Sequence, residues 1–149
     1  MAAYLSHTSV DCSDAFALSS WWQRVLDYGM DPADPNRPGH EECLIISPDQ
    51  THRLLFIEVP EGKSGKNRIH FDLRPADGTR DEELARLIAL GATPVNDLRR
   101  PDGTGWVTLS DPEGNEFCIL RSEAEVAANP NHGPAGTGPA EDDRPARQP

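Results

Sequence analysis

Polar and apolar residues alternate from Arg68 to Arg74, which sets His70, Asp72 and Arg74 on one face of a strand and Ile69, Phe71 and Leu73 on the other. An echo of this stretch lies near the N-terminus. His7 stands 63 residues before His70, and Val10 and Asp14 stand at the same offset from Leu73 and Asp77. After each strand comes an apolar stripe at helical spacing that ends in glycine. Trp22, Val25, Leu26 and Gly29 match Leu84, Leu87, Ile88 and Gly91, now 62 residues apart. Further on, Ser47, Leu54 and Phe56 match Ser110, Phe117 and Ile119 at 63 again. A near-constant offset across several elements is the mark of an internal duplication.

Taken in order, the pattern predicts a strand from Tyr4 to Cys12 and a helix from Ala15 to Tyr28, capped by Ser13 or Asp14. Trp21 and Trp22 read as packing between that helix and the sheet. Met30 to Gly39 holds Pro32, Pro35 and Pro38 and reads as an irregular connector. Strands follow at Glu42 to Ile46 and His52 to Val59, and Pro60 to Gly65 links the copies. In the second copy Thr79 and Glu82 make a capping box for a helix from Arg80 to Leu90. Its buried stripe is Leu84, Leu87 and Ile88. Thr93 to Leu98 reads as a short strand, and Trp106 to Ser110 with Glu116 to Arg121 as a hairpin. The expected fold class is α+β, with two βαβββ modules at about 4–60 and 66–123 forming one domain over 1–125. Residues 126–149 are rich in Pro, Gly, Asn and Ala and read as a disordered tail.

The formal net charge of −11 comes with no basic cluster, which argues against a nucleic-acid partner. No apolar run approaches a bilayer span, and the N-terminus lacks the regions of a signal peptide. Cys12, Cys43 and Cys118 are an odd number without metal-type spacing, so a reduced, cytoplasmic setting is expected. Glycine-rich phosphate loops and the G-x-S-x-G elbow are absent.

Two βαβββ copies, a histidine on the first strand of each, and the closing Asp-Pro-Glu-Gly-Asn-Glu-Phe run at 111–117 resemble the vicinal-oxygen-chelate superfamily. That group includes glyoxalase I, the extradiol dioxygenases, methylmalonyl-CoA epimerase, fosfomycin resistance enzymes and bleomycin-binding proteins. The resemblance covers Tyr4 to Glu123. Lys66 to Leu73 and Ser110 to Leu120 look most like its glyoxalase-like domain branch. It implies two curved sheets around one cavity, a small-molecule ligand or substrate, and a homodimer.

The resemblance also implies metal ligands at His7 and His70, with two more on the last strand of each copy. Where the second copy should carry a carboxylate it has Cys118. In the first copy the 63-residue offset puts Leu55 there, whereas local similarity nominates Glu58. Strand alternation forbids both from facing the cavity without a bulge, and the repeat favours Leu55 and Ile57 inward with Glu58 outward. By the same alternation Asp11, Asp72, Arg74 and Glu116 face the cavity, with Arg74 expected to pair with Glu116 or Asp72. Trp106, Cys118 and Leu120 complete the expected lining. Two readings follow. One is a metal-free small-molecule binder, which the missing carboxylates favour. The other is a metal-dependent lyase, isomerase or dioxygenase acting on a small oxygen-rich substrate through His7 and His70, joined by Cys118 or Glu58. Its ion would be Zn, Ni, Mn or Fe.

Overall fold

The computed structural model describes residues 2–131, and strand pairing reveals the duplication directly. The first copy consists of β1 (Thr8–Cys12), α1 (Ala15–Leu26), β2 (Glu42–Ile46) and β3 (Arg53–Glu58), with sheet order β1-β3-β2. The second consists of β4 (Asp72–Leu73), α2 (Arg80–Ala89), β5 (Thr93–Asp97), β6 (Val107–Ser110) and β7 (Glu116–Ile119), with order β4-β7-β6-β5. In each sheet the first strand runs parallel to the last. Ser9 pairs with Leu55 and Val10 with Phe56. Asp72 pairs with Cys118 and Leu73 with Ile119, every partner 63 residues further on.

The copies differ in three places. The counterpart of β5 in the first copy is reduced to a single bridge from Gly29 to Ile46. The prolines that follow Gly29 lack the N–H groups a ladder needs. The second hairpin turn is one residue shorter, so Ser110 opposite Glu116 corresponds to Ile46 opposite Arg53, and Ser47 corresponds to Asp111 rather than Ser110. The long alternating stretch before Arg74 contracts to the two-residue β4. Its outer edge has no strand neighbour, Ile69 is 82% exposed, and Asn67 is held by the Glu116 side chain instead of by a ladder. The first strand shortens likewise, with Tyr4 and Leu5 left in solvent.

Asp14 caps α1 through the Ala17 N–H at 2.8 Å, and Asp27 in the left-handed region ends the helix before Tyr28. The Thr79–Glu82 capping box starts α2, and Gly91 (φ 104°) turns the chain out of it. Both helices pack into one shared core. Trp21 and Trp22 meet Phe117 edge-on at 5.9 and 5.1 Å, and Trp22 also meets Phe71 at 5.5 Å. Leu18, Ile45, Leu54 and Phe56 from one copy join Leu87, Leu109 and Ile119 from the other. Ile88, expected in the buried stripe of α2, is 43% exposed.

The chain past 123 departs from expectation. A third helix, α3 (Glu123–Ala128), forms on a Ser122–Glu125 capping box. Glu125 reaches back to the Arg80 N–H at 2.8 Å, and the Arg121 guanidinium donates to the Asn129 and Asn131 carbonyls. Residues 126–131 of the expected tail are thus tied to the domain, and positions 132–149 of it lie outside the described residues. No helix among the described residues is long and apolar enough to cross a membrane.

Candidate functional site

The two copies meet at a cleft of about 310 Å³ between Thr8–Asp11 and the segment from Asn67 to Phe71, closed below by Trp22, Asp111, Asn115 and Glu116. Its floor is tied together by one carboxylate. The buried Asp111 carboxylate accepts the Trp22 indole N–H at 3.1 Å, the Glu113 and Asn115 backbone N–H groups at 2.9 Å, and the Asn115 side-chain amide at 3.0 Å. One wall is pinned across the strands. The Glu116 carboxylate accepts from the Asn67 N–H at 3.0 Å, and the Asn67 side-chain oxygen accepts from the Glu116 N–H at 3.1 Å. Lys63 approaches the same carboxylate at 3.2 Å. Burial would raise the Glu116 pKa, but the bonds from Asn67 and Lys63 outweigh it and leave the carboxyl below its usual range.

Beside this wall His70, Asp72 and Cys118 converge. Among the described residues they are the one group of three metal-type side chains with donor atoms all within 4.8 Å of one another. His70 Nε2 lies 3.4 Å from Asp72 Oδ1. Cys118 is buried, with its sulfur 3.6 Å from the Thr108 hydroxyl. Burial pushes its thiol pKa up, the Thr108 hydroxyl offsets part of that, and the nearby Asp72 adds to the rise.

The other expected site residues spread over the molecule. His7 is exposed one residue before β1, its ring 3.1 Å from the Ser6 hydroxyl, and it stands outside the group around His70. The Glu58 carboxylate turns to the helix side and accepts the Ala15 N–H at 3.2 Å, beside Glu113, which accepts from Ser13 and Asp14. Leu55 and Ile57 are half-buried on the opposite face of β3. Asp11 lines the cleft. Arg74 pairs with neither Glu116 nor Asp72. It bonds the Arg121 carbonyl at 2.5 Å and Glu123 at 3.1 Å, because α3 brings that carboxylate to it. Arg74, Trp106 and Leu120 line a separate pocket of about 120 Å³. A third concavity, about 660 Å³, lies beyond Asp72, but there Arg86 is already held by Glu83 and the Arg24 and Val25 carbonyls.

Asn67, Thr108 and Asn115 are site residues that the sequence reading missed. Thr108 shares a strand face with Trp106 and Ser110 and was within reach of the strand argument. The two asparagines act through contacts 49 and 4 residues away in sequence, which periodicity does not encode.

Comparison with known proteins adds the family. The family described as glyoxalase-like domain matches residues 7–120. No curated protein matches the chain. Similar solved structures include the fosfomycin resistance protein FosX from Mesorhizobium loti, with TM-score 0.60 at 17% identity over 86% of this chain and 99% of that one. A mutant FosX from Listeria monocytogenes, complexed with Mn(II) and 1S,2S-dihydroxypropylphosphonic acid, gives 0.62 at 16% identity over 87% and 98%. Lactoylglutathione lyase from Agrobacterium tumefaciens gives 0.54 at 20% over 80% and 93%. At such identities these structures establish a shared fold.

Proposed function

The chain belongs to the glyoxalase-like domain family of the vicinal-oxygen-chelate superfamily, and from that premise we propose that it binds a small oxygen-rich molecule in the cleft between its two copies. The observation that carries the reading is the cleft itself. Its volume of about 310 Å³ falls in the range of small-molecule sites, and its walls combine Val10, Trp22, Ile69 and Phe71 with Asp11, Asn67, His70 and Asn115. Asn67 spends its oxygen on Glu116 and keeps its NH₂ as a donor for a ligand oxygen. Asp11 adds a carboxylate with no ion-pair partner among the described residues, which favours a neutral or cationic ligand over an anion.

A binding screen of matched neutral, cationic and anionic hydroxylated compounds tests the reading. Neutral or cationic hits whose affinity falls in Asn67→Ala and Asp11→Asn support it. Hits that ignore both substitutions contradict it.

A metal-dependent lyase, isomerase or dioxygenase is the second reading, and the convergence of His70, Asp72 and Cys118 is what favours it. Three free thiols, with no disulfide among the described residues, suit a reducing compartment such as the cytoplasm. A homodimer is also part of the proposal. Tyr4 and Leu5 are exposed just before the edge strand β1, and apolar side chains beside a free strand edge are where a second copy docks. Sedimentation of Tyr4→Lys/Leu5→Lys as a monomer, against a wild-type dimer, is the expected result. A monomeric wild type contradicts it.

A further inference from the structure

We propose that His70, Asp72 and Cys118 form a zinc-type metal site built wholly within the second copy, with His7 taking no part. His70 and Asp72 lie two residues apart on the entering segment, and Cys118 is the direct cross-strand partner of Asp72. One donor atom from each lies within 4.8 Å of the other two. Ligands about 2.0–2.3 Å from a tetrahedral ion stand roughly 3–4 Å apart, somewhat closer than the 4.8 Å within which these atoms lie. The Cys118 N–H donates to the Phe71 carbonyl and the Leu120 N–H to the Leu73 carbonyl, both at 2.8 Å, and these bonds lock the two strands in register.

The donor set selects the ion. Imidazole nitrogen, carboxylate oxygen and thiolate sulfur together suit Zn(II), and Co(II) as its stand-in, whereas Mn(II), Mg(II) and Ca(II) favour oxygen ligands. Three protein donors leave a fourth position open, which is the pattern of catalytic rather than closed structural zinc. Water reaches that position, since the His70 and Asp72 side chains are 40% and 53% exposed while Cys118 is buried beneath them. An ion held there would supply a Lewis acid at the rim of the cleft that His70 lines.

The set departs from the one the resemblance implies, because Asp72 takes the place of the other copy's histidine. Duplication explains why there is one site and not two. The places of Asp72 and Cys118 are filled by Ser9 and Leu55 in the first copy, and neither of these two side chains is a carboxylate or a thiol. The site stands independently of the organic ligand proposed for the cleft.

Cobalt titration of the metal-stripped, tag-free full chain tests it, with no organic ligand present. The expected result is one Co(II) per chain, a near-ultraviolet thiolate-to-cobalt band, displacement by Zn(II) and none by an equal concentration of Mn(II). Cys118→Ser should abolish the band, and Asp72→Asn should weaken binding by at least about tenfold, a loss that even outer-shell partners reach. His7→Ala should change neither. Wild-type protein that takes up cobalt without a thiolate band, or takes up none, overturns the proposal without recourse to any variant. So does a His7→Ala variant that loses binding as fully as Asp72→Asn.

Discussion

Asp72 and Cys118 stand directly opposite each other across the parallel strands β4 and β7, and Ser9 and Leu55 hold the matching places across β1 and β3. At these paired strands the two copies have stayed in register to the residue while their chemistry has diverged. One copy keeps a carboxylate and a thiol at this pairing, and the other keeps a hydroxyl and an isobutyl group. A duplicated fold thus presents a one-sided site.

Asp111 is expected to be the most sensitive single position in the cleft floor. Asp111→Ala leaves the Trp22 indole N–H and two backbone N–H groups without their acceptor in a site where Asp111 is only 3% exposed. Unsatisfied buried donors cost about 1–3 kcal/mol each, and partial rescue by water brings the expected loss to about 2–4 kcal/mol. Urea unfolding measures it. A loss under about 1 kcal/mol would show that the floor is not held as described.

Glu58 is expected to matter for stability and not for the site. Its carboxylate accepts the Ala15 N–H at the start of α1, where a negative charge also meets the helix dipole. Glu58→Ala should lower stability by about 1 kcal/mol and leave cobalt or ligand binding unchanged. Lost metal binding in this variant would mean that Glu58 faces the site after all.

Alternation made much of this legible. The equivalence of Leu55 with Cys118 and the placing of Glu58 on the face of β3 opposite Leu55 and Ile57 follow from a period of two and an offset of 63. The alternation expected over Arg68–Arg74 does not hold before Asp72, where Ile69, His70 and Phe71 line one cleft. What alternation omits is the identity of the neighbour across the ladder. Arg74 shares a face with Glu116 and Asp72, yet Glu123 reaches it first from a helix that has no apolar stripe to announce it. The signal for that helix was its capping box at Ser122 and Glu125, which is short and easily passed over in a polar segment. The shortening of β4 is a tertiary effect too, since before Asp72 the chain is held to β7 by the reciprocal Asn67–Glu116 bonds and not by a ladder.

Glu125 links the N-termini of two helices, accepting from the Ser122 and Arg80 N–H groups and the Ser122 hydroxyl. Burial acts to raise its pKa, but these bonds dominate and hold the carboxyl below its usual 4.5. A lowered folded pKa means stabilisation that is complete above the unfolded value and lost as pH falls through the folded one. Wild-type unfolding free energy should therefore drop between about pH 6 and pH 3 more steeply than that of Glu125→Gln. Identical slopes would show that Glu125 is not coupled to folding.

Ligand binding in the cleft between the copies is tested most directly by amide chemical-shift mapping with the best neutral or cationic screening hit. The predicted result is a set of saturable shifts on both walls at once, at Ser9, Val10 and Asp11 and at Asn67, His70 and Asn115. Shifts confined to Arg74, Trp106 and Leu120, or to one copy alone, would contradict it.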